Sequence, residues 1–414
     1  MSIATPLPDA PSPAAPARLA THRPFLLFIW GRGFSRFAAQ IAVVALGWQV
    51  YALTNSALYL GLVGLSQFLP QALFTFFAGH VADRYDRQRV VQACQIVEGL
   101  TAGLLAWATL GGFISVPLIF ASVALLGIAT AFESPASAAL LPGVAPEGTL
   151  QRATAISTGT FQMAVICGPA IGGFAYAVAP AFPYLIMTLF WLVASFLNGA
   201  IRLERPVEGR EPPKLSELFA GIGFVRKHPA ILGTISLDLF AVLLGGATAL
   251  MPIYARDILH TGPWGLGFLR GAPAIGALAM TAYLARHTFR SKVGMRMFQA
   301  VIVFGLGTVV FALSTSIWLS LAALVVMGAA DVVSVVIRTS LVQLQTPDEM
   351  RGRVGAVNFL FIGASNQLGE FESGVTAALF GAMPAALIGG IGTIGIALLW
   401  MRLFPTLRDL QRLE

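Results

Sequence analysis

Stretches of about twenty apolar residues follow one another from Phe25 to Leu403, separated by short polar turns. Each is long enough to cross ~30 Å of hydrocarbon as a helix rising ~1.5 Å per residue. Inside lipid every backbone N–H and C=O must be paired within the structure, which leaves only helices and closed barrels. Barrel strands alternate apolar and polar residues over about ten positions, whereas these runs are continuous. Charged residues are 11% of the chain and mean hydropathy is +0.78; a soluble domain carries about 25% charged residues. The fold class is an all-α membrane protein.

Twelve spans are expected, at about 24–51, 57–81, 89–110, 117–141, 151–176, 183–202, 229–254, 264–286, 296–314, 317–342, 353–379 and 385–404. Residues 1–22, rich in Pro and Ala, lack the basic-then-apolar layout of a signal peptide and are expected to form a disordered leader. A first six-helix half then covers 23–202 and a second covers 229–404, with a tail at 405–414. Between them, 203–228 is a linker of mixed charge with a Pro-Pro break and a short amphipathic helix from about Leu215 to Arg226, expected on the membrane surface.

Of the 26 Lys and Arg, all but Arg32, Arg36, Arg256, Arg270 and Arg338 fall on one side of such an arrangement. By the positive-inside rule that side, with both termini, is cytoplasmic. The net charge of +7 is then a signal of topology, and nucleic acid is not an expected partner. Cys94 and Cys167 lie in apolar runs with no metal-ligand spacing. His22, His80, His228, His260 and His287 sit at or near span ends. No metal or cofactor is implied.

The halves repeat. At an offset of 201 residues, "GIATAFESPASAALLPGVAPEGTLQRATAIS" overlies "GAADVVSVVIRTSLVQLQTPDEMRGRVGAVN" without a gap, so Gly127 meets Gly328, Pro146 meets Pro347 and Arg152 meets Arg353. Parallel six-helix repeats joined by a cytoplasmic loop are a transporter architecture.

The turn after the second span, "GHVADRYDRQRVV", packs five charges into the seven positions 83–89. A topology signal needs only the basic residues, not Gly79, Asp83 and Asp86. Asp83 can lie against a helix N-terminus and Asp86 can cap the third span. Gly79, Asp83, Arg84, Arg87 and Arg89 together resemble the Gly-x-x-x-Asp-Arg-x-x-Arg-x-Arg/Lys signature of the major facilitator superfamily. The resemblance implies the major facilitator fold, a working monomer, and a latch that favours the state closed to the cytoplasm. The equivalent turn at 285–297 lacks the Gly-x-x-x-Asp core. In the fifth span Gly168, Pro169, Gly172 and Gly173 are similar to the Gly-Pro-x-x-Gly-Gly element of the antiporter branch. Physically these residues give a small helix face on which a neighbour can close. Over nearly its whole length the chain resembles the branch holding the enterobactin exporter and macrolide efflux proteins.

Charges within hydrocarbon cost at least ~2.5–3.5 kcal/mol each on insertion scales and need a reason. Arg32 and Arg36 lie ~12 and ~18 Å into the first span. In the resembled family the first, fourth, seventh and tenth helices line the central cavity, so Arg36, Glu133, Asp238 and Asp331 are expected to face it. A static Arg36–Glu133 pair is the alternative for those two. Arg32 and Arg338 either line the cavity or snorkel to the cytoplasmic interface, and Arg270, ~9 Å into the eighth span, is expected to snorkel to the outer face. Glu98 is expected to pair in its bundle or to reach the interface, and at least one of Glu370 and Glu372 to be solvated. With no histidine in mid-membrane, proton coupling falls to a buried carboxylate: Glu133 and Asp331 first, then Asp238. Arg32, Arg36, Gln40, Phe240, Arg338 and Asn358 are the candidate substrate contacts. Phe34, Gln67, Gln162, Asn366 and Gln367 are weaker ones, whose commoner role is packing.

No phosphate-cradling Gly-x-x-x-x-Gly-Lys-Ser/Thr string is present, and no His/Asp or Ser-His-Asp set marks an enzyme. The expected activity is alternating-access export of a siderophore-like or hydrophobic small molecule against protons, from the bacterial inner membrane. A lipid flippase, an importer or a non-transporting sensor of the same fold is the alternative.

Overall fold

The computed structural model describes residues 19–202, 215–287 and 291–411. The first half comprises α1 (Arg23–Thr54), α2 (Ala57–Arg84), α3 (Arg87–Leu110), α4 (Val116–Val144), α5 (Leu150–Val178) and α6 (Phe182–Gly199). A linker helix, Leu215–Lys227, precedes α7 (Pro229–Ile258), α8 (Gly262–Leu284), α9 (Val293–Leu313), α10 (Ile317–Gln345), α11 (Asp348–Phe380) and α12 (Ala382–Leu403). Among the described residues ten of these helices are apolar and long enough to cross a membrane by composition alone. The other two are α8, rich in glycine, and α11, rich in charge, and they complete the twelve at the contacts with α5 and α2. The expected leader falls outside the described residues, apart from Leu19–Thr21, which form a short 3₁₀ turn.

Start signals account for where the helices begin. A proline occupies the first or second position of α1, α4, α6, α7 and α8, where its missing N–H costs nothing. Asp86 caps α3 as expected, accepting from the Gln88 N–H at 2.9 Å. Asn55 ends α1 with φ 48°, a left-handed conformation that asparagine tolerates better than most residues.

One departure from the expected spans has a physical cause. The seventh span is not one helix. Its α-helical part stops at Leu244, Gly245 and Gly246 follow, and the chain re-enters through a 3₁₀ turn, Ala247–Leu250, and a π-helical turn, Tyr254–Ile258. Two glycines cannot hold a helix here, and Pro252 removes a further amide donor. The linker helix docks on the second half. Val225 is buried in that half's core, and a Cβ at Gly221 would lie 2.8 Å from the Arg353 carbonyl oxygen.

Packing repeats between halves. Helix α1 packs on α5 and α6, α2 on α4, and α3 on α4 and α6; correspondingly α7 packs on α11 and α12, α8 on α10, and α9 on α10 and α12. The aligned glycines carry this equivalence. A Cβ on Gly127 would collide with the Gln67 carbonyl of α2, and one on Gly328 with the Pro273 carbonyl of α8. Both are the closest-approach points of corresponding helix pairs. Gly328→Ala should therefore lower the thermal midpoint of the purified protein sharply, although alanine is the better helix former by ~1 kcal/mol. Gly355→Ala, where nothing lies within 4 Å of the new Cβ, should leave it unchanged or slightly higher. Equal midpoints for the two variants would remove the packing account.

The halves meet along two seams, α5 against α8 and α2 against α11. In the first, Gly173 faces Pro263 and Gly267, and a Cβ on Gly267 would lie 2.6 Å from the Pro169 carbonyl oxygen. In the second, a Cβ on Gly374 would lie 2.7 Å from the Gly61 Cα. Small residues let backbones touch where no hydrophobic force between helices exists. The "CGPAIGG" element is thus half of an inter-half seam.

The two ends of the bundle differ. At the end opposite the chain termini, one buried cluster joins Val44, Tyr51 and Leu60 of the first half to Leu250, Tyr254, Leu266 and Phe311 of the second. At the terminal end the buried clusters stay within their halves. One holds Phe25, Phe28, Leu140 and Val144, the other Ile231, Phe298, Ile337 and Trp400. The described bundle is sealed at its far end.

Candidate functional site

A cavity of about 220 Å³ lies between the halves behind that seal. Gln40 of α1 and Gln67 of α2 reach it from the first half, and Arg270 of α8 with Gln367 and Glu370 of α11 from the second. Arg270 Nη1 stands 3.9 Å from Glu370 Oε1, with side chains 17% and 27% exposed. Arg270 Nε and Gln367 Oε1 are buried with no hydrogen-bond partner. The expectation that Arg270 snorkels to the far face is therefore overturned. Its helix is packed against α5 and α10 on its small residues, and the side chain turns inward to Glu370. Glu372, two positions on, faces elsewhere and accepts from the Thr376 hydroxyl at 2.7 Å.

The seal is built from both halves. Tyr51 of α1 donates its hydroxyl to the Asp257 carboxylate. Arg256 sits over the Tyr51 ring, 5.4 Å from its centroid, and donates to the Tyr51 carbonyl at 3.4 Å. The π-helical turn places Arg256 and Asp257 side by side toward α1, and such turns occur mostly at functional positions.

In the first half Glu133 is buried at 4% exposure. Its Oε1 accepts from Ser35 Oγ at 2.8 Å and from Gln95 Nε2 at 2.9 Å, and Gln95 in turn accepts from Asn198. The alternative of an Arg36–Glu133 pair is not realised: Arg36, half-buried, makes no hydrogen bond or ion pair among the described residues. Arg32 donates to Ser137 Oγ at 2.8 Å, so it stays in the bundle, tying α1 to α4. Glu98 is buried within the first half, near Thr130 and Arg36, with Oε2 lacking a hydrogen-bond partner.

In the second half Asp238 of α7 and Arg338 of α10 form a direct ion pair, at 9% and 3% exposure. Arg338 does not snorkel, because its partner holds it inside. Asp331 is exposed and borders a small recess it shares with Asp238 and Ser334. Asn358 lines a separate opening between α10 and α11. Phe240 leans on Trp400 of α12, with ring centroids 5.2 Å apart, and is not among the residues lining the central cavity. Phe34 packs on Phe190 at 5.1 Å, beside an apolar groove of about 710 Å³ between α1, α5 and α6. That groove is larger than the central cavity but carries a single charged residue, Arg152.

In the signature turn, Arg84 and Arg89 are exposed, Arg89 lies 3.8 Å from Asp86, and Arg87 reaches the Ala139 carbonyl at 3.4 Å. The surroundings of Gly79 and the side chain of Asp83 lie outside the described residues. Gly168 and Gly172 abut Gln40 and Ile41 of α1. No group of His, Cys, Asp and Glu among the described residues could hold a metal ion.

The profile of the Major Facilitator Superfamily matches residues 28–370. The chain belongs to this superfamily. It is therefore a multi-pass membrane transporter and not an enzyme. Macrolide efflux protein A of Streptococcus pyogenes is 21% identical, over 93% of this chain and 96% of its own. Enterobactin exporter EntS of Citrobacter koseri is 26% identical, over 95% of each chain. Among solved structures, a bacterial homologue of the human lysosomal transporter Spinster superposes with a TM-score of 0.74 at 12% identity, covering 95% of this chain and 99% of that one. Both sequence relatives bear the names of efflux proteins.

Proposed function

We propose that the protein exports a siderophore-like or hydrophobic small molecule from the bacterial inner membrane in exchange for protons, working as a monomer. The terminal end carries nearly all the basic residues, so the positive-inside rule makes it cytoplasmic. The described conformation is then closed to the outside. The observation that carries the proton reading is the setting of Glu133. It accepts only from neutral donors, Ser35 and Gln95, so it can gain or lose a proton without breaking an ion pair. Asp238 cannot, because Arg338 is bound to it. Asp331, exposed beside the same recess, is the second candidate carrier. Arg36, half-buried and without an ion pair, remains a candidate contact for a substrate anion.

The test is proton movement in proteoliposomes holding a pH-sensitive dye under an imposed gradient, challenged with catecholate siderophores and with lipophilic cations. A transported compound should dissipate the gradient with the wild type. Glu133→Gln should cut that response at least ten-fold while the labelled compound still binds. Labelled compound crossing without any proton movement would make the protein a uniporter or flippase.

A further inference from the structure

The central cavity holds an ion pair that is poorly made. A charge-assisted N–H···O bond spans ~2.7–2.9 Å, and Arg270 and Glu370 stand 3.9 Å apart. Arg270 Nε has no acceptor and Gln367 Oε1 no donor, though both atoms are buried. Each such group keeps its desolvation penalty while unmatched. The contrast in the same half is one of closeness and exposure: Asp238 and Arg338 are in direct contact at 9% and 3% exposure, although Arg338 Nε and Nη1 also lack hydrogen-bond partners. One pair is closed on itself, while the other faces a space between the halves. Opposite it, Gly64 of α2 presents no side chain: a Cβ there would lie 2.8 Å from Glu370 Oε2 and 3.1 Å from Gln367 Oε1.

Inserting a ligand between two ions that are mostly enclosed has a strict electrostatic condition. An anion alone would satisfy Arg270 and strand Glu370; a cation alone would do the reverse. Leaving one charge of an enclosed pair without its partner is strongly unfavourable. Only a molecule that supplies a partner to both ends avoids that cost. The groups facing the pair from the packed helices are Gln40, Gly64, Gln67, Ala249 and Pro252, none of them charged, so no protein side chain can compensate instead.

We infer that Arg270 and Glu370 form a dipolar recognition site within the transport cavity, taking a molecule that carries a carboxylate for the Arg270 fork and hydroxyl or ammonium donors for Glu370. A planar guanidinium matches a carboxylate in two parallel bonds. The Gln367 carbonyl accepts one further donor, and Leu46, Val123 and Trp191 give an apolar wall for an aromatic ring. The cavity volume sits just below the usual range for ligand pockets, ~300–1,000 Å³, which favours a single-ring aromatic acid or one arm of a larger molecule. This inference rests on the cavity being the transport cavity, and it leaves proton coupling to Glu133.

The experiment is calorimetric titration of the full-length protein in detergent with three probes: N-(2,3-dihydroxybenzoyl)glycine, its methyl ester, and N-benzoylglycine. The first carries both groups, the second lacks the anion and the third lacks the hydroxyls. The wild type should bind the first at least ten-fold more tightly than either of the others. Arg270→Gln should lose the preference for acid over ester, and Glu370→Gln the preference for hydroxylated over plain ring. The wild-type ranking stands as a test even if a variant fails to fold, and Arg270→Lys supplies a charged replacement lacking the planar fork, which should retain only part of the acid preference. Equal binding of all three probes by the wild type, or no binding of any, overturns the inference. So does a ten-fold acid preference that survives in Arg270→Gln. Since no gradient is involved, a protein that shows the ranking but moves no protons would sink the exchange reading alone.

Discussion

Replacing Arg338 by methionine should cost the protein its folded state, and replacing Asp238 by leucine in the same chain should restore it. The two side chains pair between α7 and α10, and both are buried. Around them lie Ala241, Val301 and Ile337, with Ser334 and Asp331 on the same recess, and none of these supplies a second cation for an abandoned carboxylate. Removing one member of such a pair costs ~3–5 kcal/mol, while exchanging both for apolar groups of similar size is neutral or stabilising by ~1–4 kcal/mol. Size-exclusion profiles of solubilised protein after a heat step read this directly: Arg338→Met alone should aggregate, and the double variant should run as the wild type does. Singles as stable as the wild type would mean that the pair is solvated and not structural. The double variant also decides the role of Asp238. Export retained there removes it from the proton carriers, and a folded but inactive double variant puts it back among them.

The number and order of the spans are legible because bilayer thickness imposes a length on each apolar run whatever the rest of the fold does. The repeat is legible for a related reason. Gly127 and Gly328 are the points where a carbonyl of the neighbouring helix leaves no room for a Cβ, so each half needs glycine at the same place. Helix rotation is another matter. A membrane helix is apolar toward lipid and toward its neighbours alike, and the amphipathic contrast that orients a helix in water is absent. Hence Gln40, Gln67 and Gln367 line the cavity while Phe34 and Phe240 turn to peripheral helices, a division no periodicity marks. The break in α7 was written in Gly245, Gly246 and Pro252, but a run this apolar reads as one span. Arg270 and Glu370 carried a usable signal. Counted from the far ends of α8 and α11, they lie ~12 and ~15 Å deep, opposite charges at matching depth on two helices of one half.

Tyr51→Phe should open the far end. The substitution keeps the ring under Arg256 and removes only the hydroxyl that donates to Asp257. A hydrogen bond to a charged group contributes ~1.5–3 kcal/mol, and a contact across the seal exists only in the outward-closed state. Losing it therefore shifts the balance between states by about ten- to a hundred-fold. A cysteine at Val43, which lines the cavity behind the seal, reports on that balance once Cys94 and Cys167 are replaced by alanine. In whole cells, a membrane-impermeant maleimide should label Val43→Cys slowly, and Tyr51→Phe should speed the reaction at least ten-fold. Asp257→Asn should act in the same direction, because it weakens the acceptor and frees Arg256. If labelling is unchanged in both, the apolar cluster around Tyr254 and Phe311 holds the end shut without help. If Tyr51→Phe speeds labelling yet slows export, closure of the far end is a step the transport cycle must complete, since a carrier that leaves it ajar lets the imposed gradient run down without carrying substrate.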